Sequence, residues 1–287
     1  MGNFFGDLRS VWPTFWSLPV CGVLVFCLGA CLGSFFNVCI TRIPKNQSII
    51  FPGSRCDCGK SIPFYLNVPI VSWILLRGRA RCCGRKLEFQ YLFSEVLTAV
   101  LFTLLWWKFS PIEFLVYGVF FGILIISSGI DFATMMIPDR FSVGGTILGV
   151  LGTMALSHYV RGNYIFCGGL SAITGMLIGS SVLLWIAIYS ETILQKETIG
   201  FGDVKLMGCI GAFIGTKGAI FAIFGGALLG VVLILPIWWW NHRKQQDIKT
   251  DTMLPFGPFL SLGAGVYLLY FKPMVDEYFS RIAILLS

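Results

Sequence analysis

Charge is what this sequence has little of: Asp, Glu, Lys and Arg together make up 12% of its 287 residues, half the roughly 25% of an ordinary soluble domain. That shortage excludes a water-soluble fold with a normally charged surface and puts much of the chain against lipid. The opening stretch MGNFFGDLRSVWPTFW lacks a basic region ahead of its first apolar run, so it does not read as a cleaved signal peptide. It also lacks the Ser or Thr of a myristoylation signal, Gly6 standing in that place. No internal repeat or low-complexity tract is evident.

What is present is apolar. Hydrophobic residues make up 56% of the chain, with 26 Phe and 9 Trp suited to aromatic belts and 33 Gly suited to close helix contact. The expected class is all-α: a polytopic membrane bundle of about eight helices with a basic, cysteine-containing loop. A spanning helix needs about 20 apolar residues. The candidates are 18–40, 94–110, 112–130, 141–159, 165–189, 204–216, 218–240 and 254–271, of which 204–216 is short and flanked by Lys205 and Lys217. Three regions follow: 1–40 with the first helix, 41–93 as a loop, and 94–287 as the remaining bundle.

Lys and Arg counts orient the chain. With residue 1 outside, the inner segments are 41–93, 131–140, 190–203 and 241–253, and they hold fourteen Lys and Arg against six at the outer side. The net charge of +7 is then explained by topology and attraction to anionic inner-leaflet lipid, with no case for nucleic acid.

That topology brings two carboxylates to one face. Asp131, in SSGIDFATMMIPDR, ends the third span on the inner side, and Asp203, in ETIGFGDVKLM, opens the sixth on the same side. Two carboxyl groups brought close resist ionising together, and such a pair shares a proton. The ionised member can take a proton from water while the protonated member polarises a peptide carbonyl. Gly200 and Gly202 free the backbone and let an extended substrate lie beside Asp203. A single Asp at a helix end is more often a solvated cap; two at one face, one inside Gly-x-Gly-Asp, favour chemistry. Asp139, after Pro138, is expected to cap the fourth span.

These residues resemble a known family, the bacterial type IV prepilin peptidases. GFGDVK resembles the family's Gly-x-Gly-Asp motif, and IDFATMMIPD its Ile-Asp segment. LGSFFNVCITRIP (32–44), NVPIVSWILLRGRARCCG (67–84), YLFSE (91–95, with Leu92 where the family has proline) and LPFGPFLSLGAG (254–265) resemble further stretches in family order. The resemblance implies an inner-membrane aspartic endopeptidase that removes the basic leader of prepilins and pseudopilins at the cytoplasmic face. It also implies methylation of the new N-terminal amine with S-adenosylmethionine. Carried over, Asp131 and Asp203 match the catalytic pair and Gly200 and Gly202 the motif around it. Lys205, two residues on, is expected either to tune the pair or to reach the headgroups. Asn37, Arg42 and Glu95 match polar positions of a region linked to methylation. Their plainer roles are a helix–helix hydrogen bond, a snorkelling arginine and a partner for a loop arginine.

Six of the ten cysteines lie in apolar spans, where thiols are ordinary packing groups. Cys56, Cys58, Cys82 and Cys83 fall in the basic loop, a reducing compartment on this topology, which favours a metal over disulfides. The family often has two Cys-x-x-Cys pairs here, good zinc spacing. This chain has RCDCGK and RARCCG instead, with Ala80 where a cysteine would fall. A four-thiolate zinc site and metal-free loop cysteines both remain open on spacing. The rival function is an ion-coupled transporter using intramembrane carboxylates; it calls for inverted repeats, and none is visible.

Overall fold

The computed structural model describes residues 19–51, 53, 54, 56, 58–160, 162, 164–195, 199–243 and 255–286. The opening 1–18 and, of the charges counted for orientation, Arg55, Arg161, Lys196, Lys244 and Lys249 lie outside them. The described residues are helical, with no strand; one isolated antiparallel bridge joins Arg79 and Lys86. The helices are α1 (Pro19–Arg42), α2 (Val71–Leu75), α3 (Phe89–Lys108), α4 (Pro111–Thr134), α5 (Asp139–Tyr159), α6 (Ile165–Leu194), α7 (Phe201–Arg243), α8 (Gly257–Val266) and α9 (Lys272–Leu286), with a π turn at Tyr267–Phe271. Among the described residues seven stretches are long and apolar enough to cross a membrane, α8 to α9 counting as one. Bulky apolar side chains point outward along them, among them Phe166, Leu170, Trp185 and Val231, as lipid-facing helices require.

The chain forms two compact units, Met1–Gly118 and Val119–Ser287. The first takes in α3, which the division at residue 93 assigns to the bundle. There α1 and α3 run antiparallel with touching backbones. A Cβ added at Gly29 would lie 2.8 Å from Ala99 Cα, and one at Gly33 2.8 Å from Glu95 Cα. This small-x-x-x-small contact gains dispersion where no hydrophobic force acts between helices. Local chemistry sets the start of α4. Ser110 precedes Pro111, and its N–H and hydroxyl both donate to Glu113 Oε2, at 3.0 and 2.9 Å.

The second unit is built around the first limb of α7, where Leu206, Met207, Cys209, Ile210 and Ala212 are fully buried. Glycines again set the spacing. A Cβ at Gly149 of α5 would lie 2.9 Å from Ala212 Cβ, and one at Gly263 of α8 2.7 Å from Ala222 O.

α7 is not one rod. Gly215 has φ 71° and ψ −178°, a conformation reserved for glycine. A Cβ at Gly179 of α6 would lie 3.3 Å from Met207 O and 3.0 Å from Ala219 Cβ. On a straight helix those two residues would stand about 18 Å apart, so the chain folds back at Gly215. The eight apolar segments expected from sequence are present as seven helices, one doubled on itself.

Candidate functional site

Asp131 lies in the last turn of α4, which stops because Met135 adopts φ 54° and its N–H donates back to Asp131 O at 2.8 Å. Asp203 lies in the first turn of α7, its N–H donating to Gly200 O at 3.0 Å. Both side chains are buried, 5% and 7% exposed.

A third element joins them. The Gly257 N–H at the start of α8 donates to Asp131 Oδ2 at 3.1 Å. A Cβ at Gly257 would fall 2.7 Å from that same oxygen, so only glycine brings the amide so near. Ile137 packs between the elements: a Cβ at Gly202 would lie 3.3 Å from Ile137 Cβ, and one at Gly257 3.2 Å from Ile137 Cδ1. Asp203 Oδ1 has no hydrogen-bond partner among the described residues. The site thus offers one carboxylate oxygen held by a backbone amide and another free to engage a reacting group, both withdrawn from bulk water.

Lys205 and Asp139 do something else. Lys205 Nζ donates to Asp139 Oδ1 at 2.7 Å and lies 5.3 Å from the centre of the Phe201 ring. Asp139 does not cap α5, correcting the expectation. Pro138 occupies the cap position in an extended conformation with no side-chain cap bond, and Asp139, already inside the helix, reaches across to the lysine.

In the first unit, Asn37 is buried and its Nδ2 donates to Tyr91 O at 3.2 Å, tying α1 to α3. Arg42 Nη1 and Nη2 donate to Ser48 O and Gly53 O at 3.0 and 3.3 Å, pinning the start of the loop. Buried Glu95 takes a backbone amide, that of Ile70, at 2.7 Å. This holds Ile70 at φ 62°, unusual for a β-branched residue.

The loop thiols converge. Cys56, Cys58, Cys82 and Cys83 have their sulfurs all within 4.8 Å of one another, with Cys56 to Cys83 at 3.6 Å and Cys58 to Cys82 at 3.3 Å. Four sulfurs each about 2.3 Å from one zinc stand roughly 3.8 Å apart, so the donor set fits that ion. Two tight turns arrange it. Cys56 N–H donates to Lys60 O at 2.9 Å and Ala80 N–H to Arg85 O at 2.8 Å, with Gly59 and Gly84 at φ 86° and 68°. The Ala80 turn is one residue longer, and Cys82 inside it stands in for the missing cysteine. The Cys56 thiol is drawn down to about 7, first by the Cys58 backbone amide and then by the Cys82 and Cys83 thiols, whereas Cys56 and Cys58 push Cys82 up to about 12.

Sequence reasoning missed Gly257 and Ile137. The signal for Gly257 was the run PFGP, a glycine directly before the proline of a helix start, to which no role was attached.

Comparison with known proteins supplies the remaining findings. Residues 27–109 match the family described as Bacterial Peptidase A24 N-terminal domain, and residues 118–235 the Type IV leader peptidase family. A Myxococcus xanthus protein named prepilin leader peptidase/N-methyltransferase is 31% identical over 76% of this chain and 64% of its own length. Proteins of the same name from Dichelobacter nodosus and Xanthomonas campestris are 30% and 28% identical. They cover 82% and 88% of this chain and 77% and 92% of their own lengths. No solved structure gives a significant match.

Proposed function

The chain belongs to the type IV leader peptidase family, and from that premise we propose that Asp131 and Asp203 are the carboxylates with which it cuts the basic leader from prepilins or pseudopilins. The observation that supports this reading is the burial of both carboxylates where the starts of α7 and α8 pack on Ile137, with the Gly257 amide fixing one of them. The ionised carboxylate takes a proton from water as the water oxygen bonds to the scissile carbonyl carbon. The protonated partner polarises the carbonyl oxygen, then gives its proton to the nitrogen as the carbon–nitrogen bond breaks. Gly200 leaves room for an extended substrate backbone beside Asp203 while Gly202 admits Ile137 against α7, and the Lys205–Asp139 pair borders that approach.

The new N-terminal amine is then methylated. S-adenosylmethionine supplies the methyl group when bound, and we assign this step to the first unit, where Asn37, Arg42 and Glu95 brace α1, α3 and the loop between them. Cys56, Cys58, Cys82 and Cys83 would hold a structural zinc that fixes the loop's fold. The setting is the bacterial inner membrane, with the site at the cytoplasmic face, supported by the nine Lys and Arg of segment 41–93. The transporter reading finds no support in the family matches.

The test is incubation of the membrane-reconstituted protein with a prepilin, followed by the mass of the product's N terminus. Loss of the leader plus the mass of one methyl group is expected. An uncut prepilin overturns the peptidase reading, and a cut, unmethylated product overturns the second activity.

A further inference from the structure

Hydroxyls on the membrane helices of this chain normally fold back onto the carbonyl four residues earlier. Thr98, Thr134, Thr146, Thr153 and Ser180 all do so, at 2.7 to 2.9 Å. Ser127, Ser142 and Ser261 do not. They are 0%, 0% and 7% exposed, and their Oγ atoms have no hydrogen-bond partner among the described residues.

They sit on three different helices, and packing brings them to one depth. α4 and α8 run antiparallel, with Asp131 against Gly257 at one point of contact and Phe121 against Gly265 at another, where a Cβ would lie 3.2 Å from the ring. Ser127 and Ser261 fall between these contacts, each four residues from the Asp131–Gly257 bond, or about 6 Å beneath it. α5 meets α4 where a Cβ at Gly145 would lie 3.2 Å from Ile123 Cδ1. Ser142 is one turn from that contact toward Ile137, hence at the level of Ser127.

Three hydroxyls buried without partners are costly in a dry interior, and helix packing alone would be served by Ala or Gly. Buried water is held where two to four polar groups converge, and Asp203 Oδ1, also without a partner, offers an acceptor above. We propose that Ser127, Ser142 and Ser261 hold water one helical turn beneath the carboxylates, as positioning residues that set and replenish the nucleophile. The proposal rests on the reading of Asp131 and Asp203 as the catalytic pair. Each hydrolysis consumes one water, and a substrate strand laid over the pair covers the little surface it exposes. Water stored on the far side remains within reach of the carbonyl.

The test has two readouts on the full chain in lipid nanodiscs. The first is the kinetics of prepilin cleavage by Ser127→Ala, Ser142→Ala, Ser261→Ala and the triple variant. kcat is expected to fall about tenfold in the triple and about two- to threefold in each single, with KM unchanged. The second is hydroxyl-radical labelling by X-ray radiolysis, which marks side chains beside bound water. Labelling within 120–131 and 257–265 is expected in the natural chain and should fall by about half or more in the triple variant, while exposed Met136 stays constant. Should the triple variant fail to fold, Ser127→Ala and Ser261→Ala carry both measurements. Labelling unaffected by the serines, or a rise in KM at constant kcat, overturns the water site and leaves the peptidase reading standing. Full cleavage by Asp131→Asn overturns the catalytic reading and, with it, the role given to the water.

Discussion

The four thiols and the two carboxylates are assembled in opposite ways. The thiols come from two local turns, 56–60 and 80–85, each closed by two backbone hydrogen bonds and a glycine at positive φ. The carboxylates come from the ends of two long helices, and their neighbour Gly257 from a third. A turn can lose a cysteine at one position, gain one at another, and still aim its sulfurs inward. A helix end cannot, because moving Asp203 by one residue rotates it by about 100° around α7. The chain accordingly departs from the common cysteine spacing but keeps Ile-Asp and Gly-x-Gly-Asp.

Breaking the carboxylates should break the most. Asp131→Asn and Asp203→Asn are each expected to cut leader cleavage by more than about 100-fold, the scale of one general acid or base, while the protein still accumulates in the membrane. Near-normal cleavage by either variant would mean the helix ends are not the catalytic ones. Gly257→Ala comes next. Its methyl would stand 2.7 Å from Asp131 Oδ2, so α8 must retreat and the amide bond lengthen. A drop in kcat of about tenfold or more is expected, and unchanged turnover would show that the amide is dispensable.

The turns should respond more mildly and on the other activity. Replacing Cys56, Cys58, Cys82 and Cys83 together with Ser is expected to weaken methylation more than cleavage, read from product mass. Equal loss of both would make the loop a support for the whole enzyme. Metal analysis sharpens this: zinc should copurify and be released in acid, where protons compete with the metal for the four thiolates. The smallest effect belongs to Lys205→Met. The Lys205–Asp139 pair is partly exposed, and pairs of that kind contribute about 0–1 kcal/mol. Cleavage and thermal midpoint should barely move, and a large loss of turnover would place Lys205 in the chemistry.

Legibility follows the same divide. Helices were readable because lipid leaves the backbone almost no alternative, and hydropathy gave their places to within about five residues except the last, which runs on to Leu286 rather than ending near 271. Asp131 and Asp203 were readable because a charged group at a membrane helix end stands out among apolar neighbours. Gly257 was not, since its part is played by a backbone amide that every residue but proline carries, and only packing shows where that amide points. Asp139 misled because an Asp after a proline suits a cap equally well, until a lysine on another helix comes into reach. The thiols stayed open because spacing alone does not tell the length of each turn.

The reversal at Gly215 sets a length. The limb from 201 to 214 rises only about 20 Å, against about 30 Å of hydrocarbon in an ordinary bilayer. Asp203 stands at one end, and Lys217, paired with Asp276 at 3.1 Å, just beyond the other. Neighbouring helices rather than lipid surround this limb, for Leu206, Met207, Cys209, Ile210 and Ala212 are fully buried. A segment too short to span the bilayer alone can therefore stand inside it, its backbone self-bonded and its side chains covered by protein. The reversal lets the chain carry Asp203 on a helix that never has to match the thickness of the membrane around it.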